Sequence, residues 1–119
     1  MVHDHLSIAR AWFAAFNAHD LDALLALYAA DAIHFSPKLL IRRPETNGLV
    51  RGQAELRAWW QDAFERLPDL RYTPTSFTAN ADRVFMEYLR QVGGEPDLRV
   101  AEVLEITNGL ITASRVYHG

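Results

Sequence analysis

From Leu6 to Phe16 the apolar residues Leu6, Ile8, Ala9, Trp12, Phe13, Ala15 and Phe16 recur mostly three and four positions apart, the spacing of one helix face. Asp4 is placed to cap that helix. Asn17, Ala18 and His19 interrupt the pattern, and Asp20 opens a second helix with Leu21, Leu24, Leu25, Leu27 and Tyr28 along one side. The period then falls to two. Asp31 to Pro37, DAIHFSP, reads as a strand stopped by proline, with Ala32, His34 and Ser36 on one face. Residues 37–51, PKLLIRRPETNGLVR, have no clean period and read as a long loop, with room for a short strand at Leu39–Ile41. A third helix runs from Gln53 to Arg66 with Leu56, Trp59, Trp60, Ala63, Phe64 and Leu67 as its apolar side, and Pro68 ends it.

Beyond Pro68 the chain alternates. Leu70–Thr78 is interrupted by Pro74, which predicts an edge strand or a bulge. Arg83–Val92, Leu98–Thr107 and Leu110–His118 follow, the last two joined by Asn108-Gly109, a two-residue hairpin signal. Helices first and an antiparallel meander after them predict an α+β fold, with helices packed on one face of a curved sheet. The length of 119 residues fits a single domain over 1–119.

Composition narrows the function. A formal charge of −3 and no basic stripe argue against nucleic acid as a partner. The absence of cysteine removes disulfides and thiolate chemistry. No apolar run reaches the roughly 20 residues that cross a bilayer, and no signal-peptide pattern opens the chain, so no membrane partner and a cytoplasmic location are expected. His3-Asp4-His5 stands alone at the terminus and supports no metal site. Phosphate loops, nucleophile elbows and paired metal-ligand spacings do not occur. Glu102 is the conspicuous charge, a carboxylate between Ala101 and Val103 in an otherwise apolar strand. If it faces the core, burial raises its pKa and makes it a hydrogen-bond donor or a base near neutrality. If the register is one residue off, Glu105 is the buried one. Glu87, in VFMEYL, could face either way.

The segments AWFAAFNAHDLDALLALYAADAIHFSP, RGQAELRAWW and VAEVLEITNGLITASRVYHG resemble the nuclear transport factor 2-like superfamily. That superfamily includes SnoaL-like polyketide cyclases and ketosteroid isomerases. The resemblance implies a cone: a strongly bent antiparallel sheet wrapped around a pocket that three helices from the N-terminal half close. It also implies a homodimer formed through the outer sheet face, here Met86, Tyr88, Val103, Arg115 and Tyr117. Set against the ketosteroid isomerases, Trp12 stands where a tyrosine donor is expected, Ser36 where the base aspartate is expected, and Glu102 where a protonated aspartate is expected.

With strand alternation, the same alignment places His34, Ser36, Phe85, Glu87, Leu89, Glu102, Leu104, Ile106, Ser114, Val116 and His118 toward the pocket. Trp12, Phe16, Tyr28 and Trp59 come down from the helices. The reading that follows is a cofactor-independent acid/base enzyme for an apolar, carbonyl-containing small molecule. Glu102 would polarise an oxygen, His34 would move the proton and Glu87 would orient or share charge. The alternative is a non-catalytic ligand-binding or dimerising domain.

Overall fold

The computed structural model describes the backbone from Val2 to His118 and the side chains from Asp4 onward. His3 therefore falls outside the described side chains, while His5 hydrogen bonds through Nδ1 to the Asn80 carbonyl at 2.9 Å. The elements run α1 (Val2–Asn17), α2 (Leu21–Leu25), β1 (Tyr28–Phe35), α3 (Pro37–Arg42), a 3-10 turn (Pro44–Thr46), β2 (Leu49–Arg51), α4 (Gly52–Arg66), β3 (Arg71–Ala79), β4 (Arg83–Gln91), β5 (Leu98–Thr107) and β6 (Leu110–Tyr117). The six strands form one curved, unclosed sheet in the order β2-β1-β6-β5-β4-β3. Its pairs are antiparallel except β1 with β6, which is parallel. None of the described helices is long and apolar enough to cross a membrane.

The buried face of α1, built from Ala9, Trp12, Phe13 and Phe16, lies on β3 and β4. Trp12 stacks on Tyr72 at 5.9 Å between centroids, and Phe13 meets Phe77 edge-on at 5.7 Å. The helix begins at Val2, so Asp4 sits in its first turn, near the positive end of the helix dipole, and does not cap it. At its other end Asn17 pins the edge strand: its amide donates to the Tyr72 carbonyl at 2.8 Å and accepts from the Tyr72 N–H at 2.7 Å. Asp20 caps α2 as expected, accepting from the Ala23 N–H at 3.1 Å.

Residues 37–51 are not a loop. Pro37 occupies the first turn of α3 behind Ser36, and α3 anchors itself through Leu39, its one buried residue. Six residues make less than two turns, too few for a period to show. The chain then reverses through Asn47 and Gly48, both at positive φ, and returns as β2 against β1. Glycine is required at 48, because a Cβ there would sit 2.6 Å from the Phe35 ring. Pro74 lies on the edge strand β3 and beside a bulge, since the register shifts between Pro74 and Ser76.

The main correction concerns β4. Val84, Met86, Tyr88 and Arg90 are buried on the concave face, and Phe85, Glu87 and Leu89 face outward. Glu87 accepts from the Ser76 hydroxyl at 2.7 Å on that outer surface, and Phe85 is 40% exposed. Both faces of VFMEYL carry large apolar residues, so hydrophobicity alone does not choose between registers one residue apart, and that choice flips every side chain. Met86 pairs with Glu102, and both point inward. Met86 and Tyr88 consequently leave the outer face assigned to a dimer. The register of β5 is as expected, with Glu102 and Leu104 inside and Glu105 outside.

Candidate active site

Between the helices and the concave sheet lies a cavity of about 310 Å³, at the small end of the range typical for ligand sites. Trp12, Phe16, Trp59, Trp60, Tyr72 and Tyr88 give it aromatic walls, and His34 and Glu102 are the least exposed of its other polar lining residues. Glu102 is 1% exposed. Its Oε1 accepts a hydrogen bond from the Tyr88 hydroxyl at 2.7 Å, and Tyr88 is also hydrogen bonded with Tyr72. Oε2 has no hydrogen-bond partner among the described residues. Desolvation dominates this carboxyl and pushes its pKa up to about 8, with the Tyr88 hydrogen bond opposing only in part. At neutral pH Glu102 is therefore a carboxylic acid whose Oε1 is already accepting, which puts its proton on Oε2. The Tyr28, Tyr72 and Tyr88 hydroxyls are driven the other way from ionisation, all well above the ordinary phenol value, first by burial and then by the neighbouring Glu102.

His34 is held by a directional relay. The Trp12 indole N–H donates to the Tyr28 hydroxyl at 3.0 Å, Tyr28 donates to the Ser114 hydroxyl at 2.9 Å, and Ser114 lies 2.7 Å from His34 Nδ1. With Tyr28 donating to Ser114, the acceptor this chain offers the buried Ser114 hydroxyl proton is Nδ1 of neutral His34. Ser114 donates to Nδ1, and the ring proton of neutral His34 sits on Nε2. Burial pushes the imidazole down to about 3, so the ring stays neutral. Its plane leans on Trp60 at 5.1 Å, and its Nδ1 lies 4.0 Å from Glu102 Oε2. The two groups rest as a neutral pair. Each is kept so by the same low dielectric.

Of the residues assigned to the pocket from sequence, Trp12, Phe16, His34, Ser36, Trp59, Glu102, Val116 and His118 line the cavity. Tyr28 and Ser114 are buried behind the wall as relay members, and Leu104 is core. Phe85, Glu87 and Leu89 are on the opposite face of the sheet and are excluded from the site. Trp59 and Trp60, adjacent on α4, both reach the cavity: Trp60 is buried, while Trp59 is half-buried beneath the Arg42 guanidinium of α3 at 5.7 Å. Tyr72, Tyr88, Arg90 and Lys38 were missed. Tyr88 and Arg90 belong to the other register of β4, and Lys38 to the helix hidden in the aperiodic segment.

The match of residues 9–114 to the SnoaL-like domain family covers most of the chain. The chain belongs to the SnoaL-like family. Solved structures share the fold. A SnoaL-like protein of unknown function from Burkholderia thailandensis is 27% identical, with a TM-score of 0.88 over 98% of this chain and 95% of that one. A candidate ketosteroid isomerase from Kribbella flavida is 21% identical, with a TM-score of 0.82 over 99% and 79%. TerC, co-crystallised with polyporic acid, is 19% identical, with a TM-score of 0.85 over 98% and 92%. No curated protein matches the chain. The SnoaL-like assignment fixes the fold and leaves the reaction to the site itself.

Proposed function

We propose that this SnoaL-like chain is a cofactor-independent acid/base enzyme that isomerises, cyclises or hydrates an apolar, carbonyl-containing small molecule. The observation that carries the reading is Oε2 of Glu102, buried at the cavity and without a hydrogen-bond partner among the described residues. A buried polar atom left unpaired is costly, and a ligand oxygen that accepts its proton removes that cost. As the carbonyl oxygen gains charge toward an enolate, the hydrogen bond from a neutral acid strengthens, which is stabilisation specific to the transition state.

His34 contributes differently from the initial expectation. With Nδ1 occupied by Ser114, the neutral imidazole offers Nε2–H as a second donor, and Glu102 gives its Oε2 proton to the carbonyl oxygen and, as the carboxylate so formed, takes the proton from the α-carbon, ending protonated as it began. Glu87 has no part. The aromatic walls lower the local dielectric around both donors and so strengthen them. TerC, a neighbour in fold, was crystallised with a small organic molecule, which is in keeping with a ligand-holding cavity here. A homodimer through the outer sheet face is part of the proposal, supported by the exposed rings of Phe85 (40%) and Tyr117 (48%).

The test is solvent-deuterium exchange at the α-carbon of β-tetralone, followed by NMR with wild type and Glu102→Gln. Exchange catalysed by wild type and lost in the variant supports the reading. Equal exchange by both proteins removes Glu102 from the chemistry. Saturable binding without any exchange would favour the non-catalytic alternative.

A further inference from the structure

The acid/base reading leaves unused a set of cations around the cavity. Lys38 and Arg42 on α3, Arg66 in the last turn of α4 and Arg90 near the end of β4 all line it. Two carboxylates are set against these four among the described residues. Asp62 bridges Arg42 at 3.3 Å and Arg66 at 2.8 Å, and Glu95 pairs with Arg90 at 3.1 Å. Among the described residues, four positive charges less two negative ones leave a surplus of two around the cavity. Lys38 makes no ion pair among the described residues, and Arg90 keeps only 10% of its side chain exposed.

Like charges gathered against an apolar wall repel each other and lose hydration. Lys38 registers this: burial, Arg90 and Arg66 all press its ammonium toward the neutral form, and only Glu95 opposes them. Glu102 pairs across the sheet with Met86, four residues along β4 from Arg90, and its part of the cavity has the opposite character. Glu102 and His34 are neutral there and offer hydrogen-bond donors but no positive charge. The cavity therefore has a neutral, hydrogen-donating end and a cationic end, joined by aromatic walls.

We propose that the ligand is an anionic amphiphile, a cyclic keto acid of one or two rings whose carboxylate is held by Lys38 and Arg90 while its carbonyl reaches Glu102. The orientation rests on the acid/base reading above; the preference for an anion does not. Arg90 and Lys38 act as specificity-determining residues, and the half-exposed pairs of Arg42 and Arg66 with Asp62 complete the rim.

The experiment compares β-naphthoate with β-naphthamide, which share a ring system and differ in charge, by quenching of tryptophan fluorescence at low and high salt. Wild type is expected to prefer the naphthoate by about tenfold, the size of one charge-assisted hydrogen bond, with the preference shrinking as salt is added. Lys38→Met should abolish most of that ratio and Lys38→Arg should restore it. Equal affinities in wild type, or a ratio untouched by Lys38→Met, would overturn the proposal. The two readings fail separately. Deuterium exchange without a naphthoate preference refutes the anion site alone, and a naphthoate preference without exchange refutes only the acid/base chemistry.

Discussion

Glu102 and Glu105 lie on the same strand, three residues apart, and the two faces of the sheet make them different groups. On the inner face Glu102 accepts a hydrogen bond from the Tyr88 phenol, and desolvation lifts its pKa to about 8. On the outer face Glu105 pairs with the Arg115 guanidinium and lies 3.9 Å from Arg83, so its carboxyl is held below the usual carboxylate range, first by the Arg115 hydrogen bond. One is an acid with a proton to give, the other a permanent anion. Residue type does not separate them; the face of the strand does.

The contrast breaks most sharply under substitution. Glu102→Gln keeps shape and hydrogen-bonding capacity but cannot give a proton. Turnover should fall by about 10²–10⁴-fold, the usual worth of a general acid or base, while circular dichroism and oligomeric state stay unchanged. The next effect in size is Tyr88→Phe. It leaves Oε1 of Glu102 without its donor and should cost about 1–3 kcal/mol in urea denaturation. The Tyr88 bond lowers the Glu102 pKa, so its loss should push the pH midpoint of activity above that of wild type.

Stability against pH sharpens the same comparison. Folded Glu102 holds its proton up to about pH 8, whereas the unfolded chain releases it near 4.5. Its contribution is full below about pH 4.5 and is lost as pH climbs through 8. His34 runs the other way, because its folded value of about 3 lies under the ordinary 6.5. Its contribution is present above 6.5 and is lost as pH falls through about 3. The opposing slopes cancel between 4.5 and 6.5, so the melting temperature should rise from acid to a plateau and then decline above about pH 6.5. In Glu102→Gln the alkaline decline should be much reduced. The smallest effects belong to the outer face: Glu105→Gln should cost no more than about 1 kcal/mol, and Glu87→Gln no more than about 0.5 kcal/mol with activity intact.

Much of this was legible in the chain, for reasons specific to each element. The strand β5 was readable because Val100, Glu102, Leu104 and Ile106 alternate without a break up to the hairpin turn at Asn108-Gly109; the turn does not extend its register to Glu102, since the pairing with β6 shifts between Glu105 and Ile106. The helix α4 was readable because fifteen residues sustain a 3.6 period before Pro68. β4 was not, since Phe85 and Leu89 are as apolar as Met86 and Val84; only its pairing with β5 decides which set is buried. α3 was hidden by its brevity, and with it Lys38. The relay from Trp12 to His34 joins residues that only the parallel β1–β6 pairing, His34 against Ser114, brings together. No local pattern announces such a contact.

The protonation of Glu102 is the claim on which both the chemistry and the two-ended cavity rest. Infrared difference spectroscopy of the folded protein, titrated through about pH 8 with Glu102→Gln as reference, measures it directly. The account predicts a protonated-carboxyl stretching band present at neutral pH, absent from the variant and replaced by carboxylate bands as the pH passes about 8. A carboxylate signature for Glu102 already complete at neutral pH would contradict it.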